Sequence, residues 1–425
     1  MDYRIFPPEE ILETTVALPV SKSMAVRDIM LSYFSGNVGS ASALADACDD
    51  THILFSILDA GLPSDGSRVD VGAAGTAMRF LTAAVAATDG AHCLITGTER
   101  MCRRPIGVLV DALRSLGADI EYRGEEGFPP LEIKGRRLKG GSVEVETGVS
   151  SQFLSALMMA GPLMEESLTI VFRGNLQSLP YINMTAAMMR HYGVDAEVDR
   201  DKAIVPVEKY VIADPMTEPD WSAAAFWYEI AALTAGWVTL PGLKEDSLQG
   251  DRGEALLFER LGTLTEFTDD CAELSATPDL WSVLEADLGD MPDAVPALAV
   301  TAAMAGLRFR MTGVGVLREK ECDRLQALAD ELAKVGILLD IENYGNTLAW
   351  DGRRVPVREL PVFDPHGDHR MAMALAPVSV FIPGIVVRDA EVVAKSYPSF
   401  WQDLAAAGFT VADAAEVPEQ KEEQQ

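Results

Sequence analysis

GTAMRFLTAAVA (75–86) decides the fold, because five other stretches repeat its design: KSMAVRDIML (22–31), SSQFLSALMMA (150–160), DWSAAAFWYEIAAL (220–233), MPDAVPALAVTAAMA (291–305) and GDHRMAMALA (367–376). Each opens on a small polar or charged turn and runs on through Ala, Met and Leu. After a shorter first interval they recur at roughly 70 residues, which is the signature of an internal repeat. Side chains this small let helices pack side by side at close distance. The openings, and not the runs, hold most of the unusual cations and hydroxyls.

A second helical signal follows each run: 50–61, 104–117, 180–193, 251–262, 322–336 and 397–408. Apolar residues fall there at three- and four-residue spacing, and every one ends on Gly, as a helix closed by a left-handed glycine does. Short alternating strands with a turn between them come next at 118–135, 194–207 and 338–352. The expected unit is strand, helix, strand, helix, hairpin, copied six times with the first copy abbreviated. Three copies per lobe is the natural grouping, and the Pro-containing acidic stretch 213–220 is the candidate crossover. The Glu/Gln-rich end, 413–425, reads as a disordered acidic tail.

With 425 residues, 48% of them hydrophobic, the chain is long enough for two or three cores. A formal net charge of -30 argues against a nucleic-acid partner, which needs a basic face. The longest apolar stretch, Met371 to Val387, is broken by Pro377, Pro383 and Gly384 and is a poor membrane span. The N-terminus shows no secretory pattern. Five scattered cysteines without a Cys-x-x-Cys read as free thiols in a reducing cytoplasm, and no metal-ligand spacing stands out.

Against this acidic background the repeat openings stand out. Lys22-Ser23 with Arg27 one turn on, the Gly-rich turn before Gly75-Thr76, Arg104 ahead of a proline-initiated helix, and the hydroxyl and amide donors Ser150, Ser151 and Gln152 all sit there. So do Ser178, Asp293, the dense run Arg318–Arg324, Arg370 and Lys395. Singly, each has an ordinary structural reading as a cap, a turn or a solvated charge. Arg79, inside its helix, reads equally as structural. Asp293, at a helix start, has the form of a cap carboxylate with a lowered pKa, ionised and able to accept a proton. Jointly, Lys22, Arg27, Arg104, Lys320, Arg324, Arg370 and Lys395 imply a multiply anionic ligand between two lobes, also favoured by helix N-termini aimed at one cleft. Two phosphates and two carboxylates would match that charge. Without ligand, such cations are expected to be open and wet, and closure is expected on binding.

The chain resembles the EPSP synthase family of enolpyruvyl transferases from about residue 5 to 410. SKSMAVR, AGTAMR, RRPIGVLVDAL, SSQFLSAL, LQGD, KECDRL, GDHRMAMALA and AKSYPSFW follow one another in that family's order. The resemblance implies an α/β (α+β) fold, a two-lobed inside-out α/β barrel with three βαβαββ repeats per lobe. One lobe would span 21–217; the other, discontinuous, would take 1–20 and 218–412, the N-terminal strand returning to it. It implies transfer of the enolpyruvyl group of phosphoenolpyruvate to the 5-hydroxyl of shikimate 3-phosphate by a cytoplasmic monomer with no cofactor, metal or covalent nucleophile.

By the same resemblance, shikimate 3-phosphate would be held by Lys22, Ser23, Arg27, Ser150, Ser151, Gln152, Ser178, Asp293 and Lys320. Phosphoenolpyruvate would be held by Lys22, Gly75, Arg104, Gln152, Arg324, Arg370 and Lys395. Asp293 corresponds to the base, Glu321 or Lys22 to the acid, and His369 to a neighbour of the site. The chain departs from the family pattern at Ala73, Phe80, Val316 and Cys322. UDP-N-acetylglucosamine enolpyruvyl transferase shares the fold and donor, but it usually carries a Cys where this chain has Glu99. A non-catalytic anion-binding repeat protein would need the cations but neither Asp293 nor Glu321.

Overall fold

The computed structural model describes residues 1–146, 150–174, 178–277, 281–357 and 359–415, with the side chains of 45 and 46 left aside. Most of the expected tail, 416–425, lies outside the described residues; Asp413, expected to begin it, closes a strand paired with Tyr3. The chain forms two compact units. A central unit holds Val20–Glu218 and Leu248–Gly250, and a terminal unit holds Met1–Pro19, Pro219–Ser247 and Asp251–Gln425.

The central unit carries two four-stranded sheets of identical topology. In one, Ser67–Asp70 pairs parallel with His92–Thr96, which pairs antiparallel with Leu131–Lys134 and that with Asp119–Tyr122. In the other, Gly141–Glu146, Leu168–Arg173, Lys202–Val205 and Glu197–Val198 follow in the same order and sense. The parallel pair needs a helix crossover, whereas the antiparallel strands are joined by a short turn, so the order follows from the chain's alternation of helix and hairpin signals. The first copy departs from the six-fold expectation. Helices Lys22–Phe34 and Asp49–Asp59 flank a 3-10 stretch, Val38–Ala47, and no sheet strand lies between Lys22 and Ser67 among the described residues. The connection 60–66 is too short to hold a hairpin.

In the terminal unit the pattern occurs three times, and the N-terminal segment completes two of the sheets. Glu13–Thr15 pairs parallel with Trp237–Pro241, and Tyr3–Phe6 lies between Ile385–Val387 and Thr410–Asp413. The remaining sheet runs Val283–Asp287, Arg308–Thr312, Thr347–Trp350, Asp340–Glu342. One difference from the sequence-based boundaries is the excursion Leu248–Gly250, which belongs to the central unit. Gln249 Nε2 donates to Glu218 Oε2 at 3.1 Å there.

The Ala/Met runs become the cores. Val295–Met304 and His369–Leu375 are buried at every position, and Trp221–Thr234 at nearly every one; the three pack on one another. In the central unit Gly75–Ala87 packs on both Lys22–Phe34 and Ser151–Ala160. Such helices are apolar all round rather than striped, as they must be when sheets and outer helices cover every side. The outer helices end as the sequence predicts, with Gly61, Gly117, Gly193, Gly262, Gly336 and Gly408 all at positive φ. At Gly336 a Cβ would stand 2.1 Å from the Val355 carbonyl oxygen, so no other residue fits.

One core residue breaks the pattern. Glu229, midway along Trp221–Thr234, is fully buried, and neither carboxylate oxygen has a hydrogen-bond partner among the described residues. Burial drives its pKa well above the carboxylate range, so the folded protein keeps it protonated where the unfolded chain ionises it. Stability is therefore lost as pH rises from the unfolded value toward the folded one, by about 1.4 kcal/mol per pH unit in that window. Thermal melts of Glu229→Gln should show a smaller loss of stability between pH 5 and pH 8 than the native chain; identical pH slopes would contradict a buried neutral acid.

Candidate active site

In the central unit the predicted residues fall at helix openings. Lys22 begins its helix and points Nζ to Asp50 Oδ2 at 3.4 Å. The cap position belongs to Ser21; Ser23, expected there, is the second helical residue. Arg27 is 2% exposed. Its Nε donates to Thr185 Oγ1 at 2.7 Å, Nη1 to the Ser23 carbonyl at 2.7 Å and Nη2 to Ser155 Oγ at 3.1 Å, while the guanidinium lies over Phe80. Burial pulls its pKa down to about 10, which leaves it charged at neutral pH.

Gly75 has a steric reason to be glycine. A Cβ would stand 2.5 Å from Arg104 Nη1 and 2.7 Å from Arg79 Nη1, so the missing side chain leaves room for two guanidinium groups. Arg79 donates to the Gly75 carbonyl at 2.7 Å. The buried Nε of Arg104 has no hydrogen-bond partner among the described residues. The helix after Arg104 starts at Gly107, so Pro105 precedes it rather than initiating it. Gln152 Nε2 donates to Thr76 Oγ1 at 3.1 Å, whereas its buried Oε1 has no partner among the described residues. Ser150 caps the helix that starts at Ser151, its side chain accepting from the Gln152 backbone N–H. Ser178 precedes Leu179–His191 in the left-handed region, φ 59°.

In the terminal unit Arg324 gathers the chemistry. It starts the helix Arg324–Ala333, is 1% exposed, and reaches three carboxylates: Asp368 through Nε at 2.7 Å, Asp293 through Nη1 at 2.7 Å and Glu321 through Nη2 at 2.9 Å. Its guanidinium is planar and always charged, and its fixed fork suits several carboxylates at once. Asp293 in turn accepts from Arg370 Nη2 at 3.1 Å and Lys320 Nζ at 3.4 Å, and Lys395 Nζ lies 3.1 Å from Glu321 Oε1. All six terminal-unit residues expected from the sequence thus share one network. Behind it, Asp368 caps His369–Leu375 by accepting from the Arg370 N–H at 2.9 Å. The Cys322 thiol lies 3.8 Å from Asp368 Oδ2 and His369 Nδ1 3.7 Å from Oδ1.

Two expectations change. Asp293 lies in the 3-10 turn Pro292–Ala294, and what it accepts is side-chain charge rather than helix N–H groups. Burial pushes its pKa up, but Arg370, Lys320 and Arg324 outweigh burial and hold it well below the carboxylate range. The cations are also not open and wet: Arg324 and Arg370 are buried against counter-charge that the sequence does not assign to them. Asp368, Asp220, Asp251 and Ser222 are the site residues missed. GDHR and DWSAAAF lie at repeat openings and LQGD at the start of the second helical segment of its repeat, which was the signal available.

Five sheets of one topology, two in the central unit and three in the terminal unit, with small-residue helices whose openings carry cations in each, define an α/β protein of the two-unit repeat class. The model of the EPSP synthase (3-phosphoshikimate 1-carboxyvinyltransferase) family matches residues 44–404, and the chain belongs to that family. A 3-phosphoshikimate 1-carboxyvinyltransferase of Bacteroides fragilis (strain YCH46) is 43% identical over 413 residues, 97% of this chain and 99% of that protein. One from Vibrio atlanticus (strain LGP32) is 34% identical, covering 95% and 99%. The fold is also that of the EPSP synthase from Acinetobacter baumannii, with a TM-score of 0.71 at 22% identity over 97% of this chain and 100% of that one.

Arg324→Met would take a buried cation from three carboxylates: Asp293 would keep Arg370 and Lys320, Glu321 would keep Lys395, and Asp368 would lose its arginine partner. Chemical denaturation should show a loss of about 3–5 kcal/mol. Arg103→Met, which removes an exposed pair with Glu99, should leave the unfolding midpoint where it is. Equal effects at the two positions would refute the weight given to the buried network.

Proposed function

We propose that this chain catalyses transfer of the enolpyruvyl group from phosphoenolpyruvate to the 5-hydroxyl of shikimate 3-phosphate, with release of phosphate, and that Asp293 is the base. The observation that supports the reading most is the convergence of Asp293, Lys320, Glu321, Arg324, Arg370 and Lys395 in one network within a chain of this family.

The chemistry calls for these residue types. Protonation of the donor's methylene carbon places cationic character on the neighbouring carbon, which the hydroxyl oxygen attacks as a base removes its proton. Loss of phosphate, with one methyl proton returned to the protein, restores the double bond. Glu321 or Lys22 supplies the methylene proton in this reading. Lys22, Gly75, Arg104, Gln152, Arg324, Arg370 and Lys395 hold the donor's phosphate and carboxylate and favour departure of phosphate. Lys22, Ser23, Arg27, Ser150, Ser151, Gln152, Ser178, Asp293 and Lys320 hold the acceptor. Support for the central-unit assignments includes Gly75 opening space beside two guanidinium groups and Gln152 Oε1 and Arg104 Nε keeping buried capacity in reserve.

The named relatives favour the shikimate acceptor over a UDP-sugar. Among the described residues no helix is long and apolar enough to cross a membrane. We further propose a cytoplasmic monomer, on the strength of the family resemblance; light scattering giving twice the 45.8 kDa chain mass would overturn the monomer.

Phosphate release should require both phosphoenolpyruvate and shikimate 3-phosphate. Asp293→Asn should lower kcat by roughly 10²–10⁴-fold, and calorimetry should still detect both ligands. Release without the acceptor, or an unchanged kcat in the variant, would overturn the reaction or the base respectively. Lys22→Met should weaken binding of both ligands.

A further inference from the structure

Arg370 is held loosely for a residue at the centre of a charge network. Nη2 reaches Asp293 at 3.1 Å, Nη1 reaches the Ser222 carbonyl at a long 3.5 Å, and the buried Nε has no hydrogen-bond partner among the described residues. Its orientation therefore depends on where Ser222 presents that carbonyl. Ser222 is fixed from two sides: its N–H donates to Asp220 Oδ1 at 3.0 Å, and its hydroxyl donates to Asp251. Asp251, in the 3-10 turn Gly250–Gly253, is 2% exposed.

We propose that Asp251, acting through Ser222, is a positioning residue for Arg370 and so sets how tightly the site holds the donor's anionic groups. The inference rests on the reading of the reaction given above.

Charge supplies the second argument. The groups that face Asp251 are Asp293, Arg370 and Asp220, and Glu254 lies next to it. Were Asp220, Asp251, Glu254 and Asp293 all ionised, Arg370 would face four carboxylates, one of them, Asp293, shared with Arg324 and Lys320, and its pull on a polyanionic donor would be weakened. Burial prevents this. Glu254 is fully buried with neither oxygen hydrogen-bonded among the described residues, and burial, then Asp251 and Asp220, hold it well above the carboxylate range. Asp251 is pushed up to about 6, by burial first and by Asp293 second, against the pull of Ser222 and Arg370. It therefore changes charge close to neutral pH, and an anion arriving at Arg370 raises its proton affinity further. Donor binding should take up a proton at Asp251, and donor affinity should fall as pH rises past 6.

The test compares the native protein, Asp251→Asn, Ser222→Ala and Ser222→Thr, each checked by circular dichroism and thermal melting. Phosphoenolpyruvate is titrated in a saturating acceptor background at pH 6, 7 and 8, and calorimetry in buffers of different ionisation enthalpy counts protons. Beyond any slope the donor's own ionisation contributes, the native donor KM should rise about fivefold more between pH 6 and pH 8 than that of Asp251→Asn. The variant should lose the proton uptake, and the KM for shikimate 3-phosphate should stay level in both. Ser222→Ala should raise the donor KM roughly three- to tenfold with kcat changed less, and Ser222→Thr, which keeps the hydroxyl, should restore it. If the folded variants keep the native donor KM, pH slope and proton count, or if both substrates weaken equally, the positioning role is wrong. Should Asp251→Asn fail to fold, the Ala/Thr pair at 222 decides alone. A native protein that binds no phosphoenolpyruvate would instead sink the reaction on which the inference stands.

Discussion

The terminal unit is organised by the three-way pairing of Arg324 with Asp293, Glu321 and Asp368. A guanidinium at 1% exposure is tolerable only when its donors meet counter-charge, and the carboxylates are tolerable only for the same reason. That mutual dependence ties together four separate stretches. The 3-10 turn at Asp293, the charged run at 320–324, the helix opening at Asp368–Arg370 and the turn carrying Lys395 must each reach one place. A close-packed core of helices rich in Ala, which lets their axes approach closely, puts the openings within side-chain reach of one another. The small residues of Val295–Met304 and His369–Leu375 are thus part of the site's electrostatics, since bulkier side chains there would hold the charges apart.

Most of the framework is legible in the sequence because it is local. A helix that ends on a left-handed glycine, a hairpin with Gly at its turn and an all-round apolar run are each set by residues a few positions apart. Gly61 through Gly408 can be placed from spacing alone, and the structure places them so. The abbreviated first copy is legible too, although its loss of a whole sheet shows only once the connection 60–66 is seen to leave no room. The excursion Leu248–Gly250 is not legible, because what draws it to the central unit is a pair of contacts with Glu218, some thirty residues earlier.

The cations of the site are conspicuous in an acidic chain, whereas their partners are not. Against 65 acidic residues, Asp368, Asp220 and Asp251 look like ordinary caps and turn residues. Asp368 does cap its helix while also pairing with Arg324 from 44 residues away. Sequence spacing reports the first role and is silent on the second. The same blindness produced the expectation of a solvated cluster of cations. Counting only positive charges gives an open, repulsive cleft; adding the interleaved carboxylates gives a buried and nearly balanced network.

That balance bears on how a base can work here. A carboxylate gripped by Arg324, Arg370 and Lys320 is ionised at any ordinary pH, yet it is a weak proton acceptor for the same reason. The proposed donor needs two of those three cations for its own phosphate and carboxylate. Each donor charge that takes a share of Arg324 or Arg370 withdraws a share from Asp293, and its proton affinity must rise as the donor settles. Basicity in this arrangement is therefore not a fixed property of Asp293 but a consequence of occupancy. If Asp293 is the base, as proposed, a site holding only the acceptor would keep its carboxylate inert, and one holding both substrates would have a carboxylate able to take the hydroxyl proton. The cost of burying so many charges together is offset by their mutual pairing, and in the proposed reaction the same pairing would make proton removal conditional on the presence of the carbon that is to be attacked.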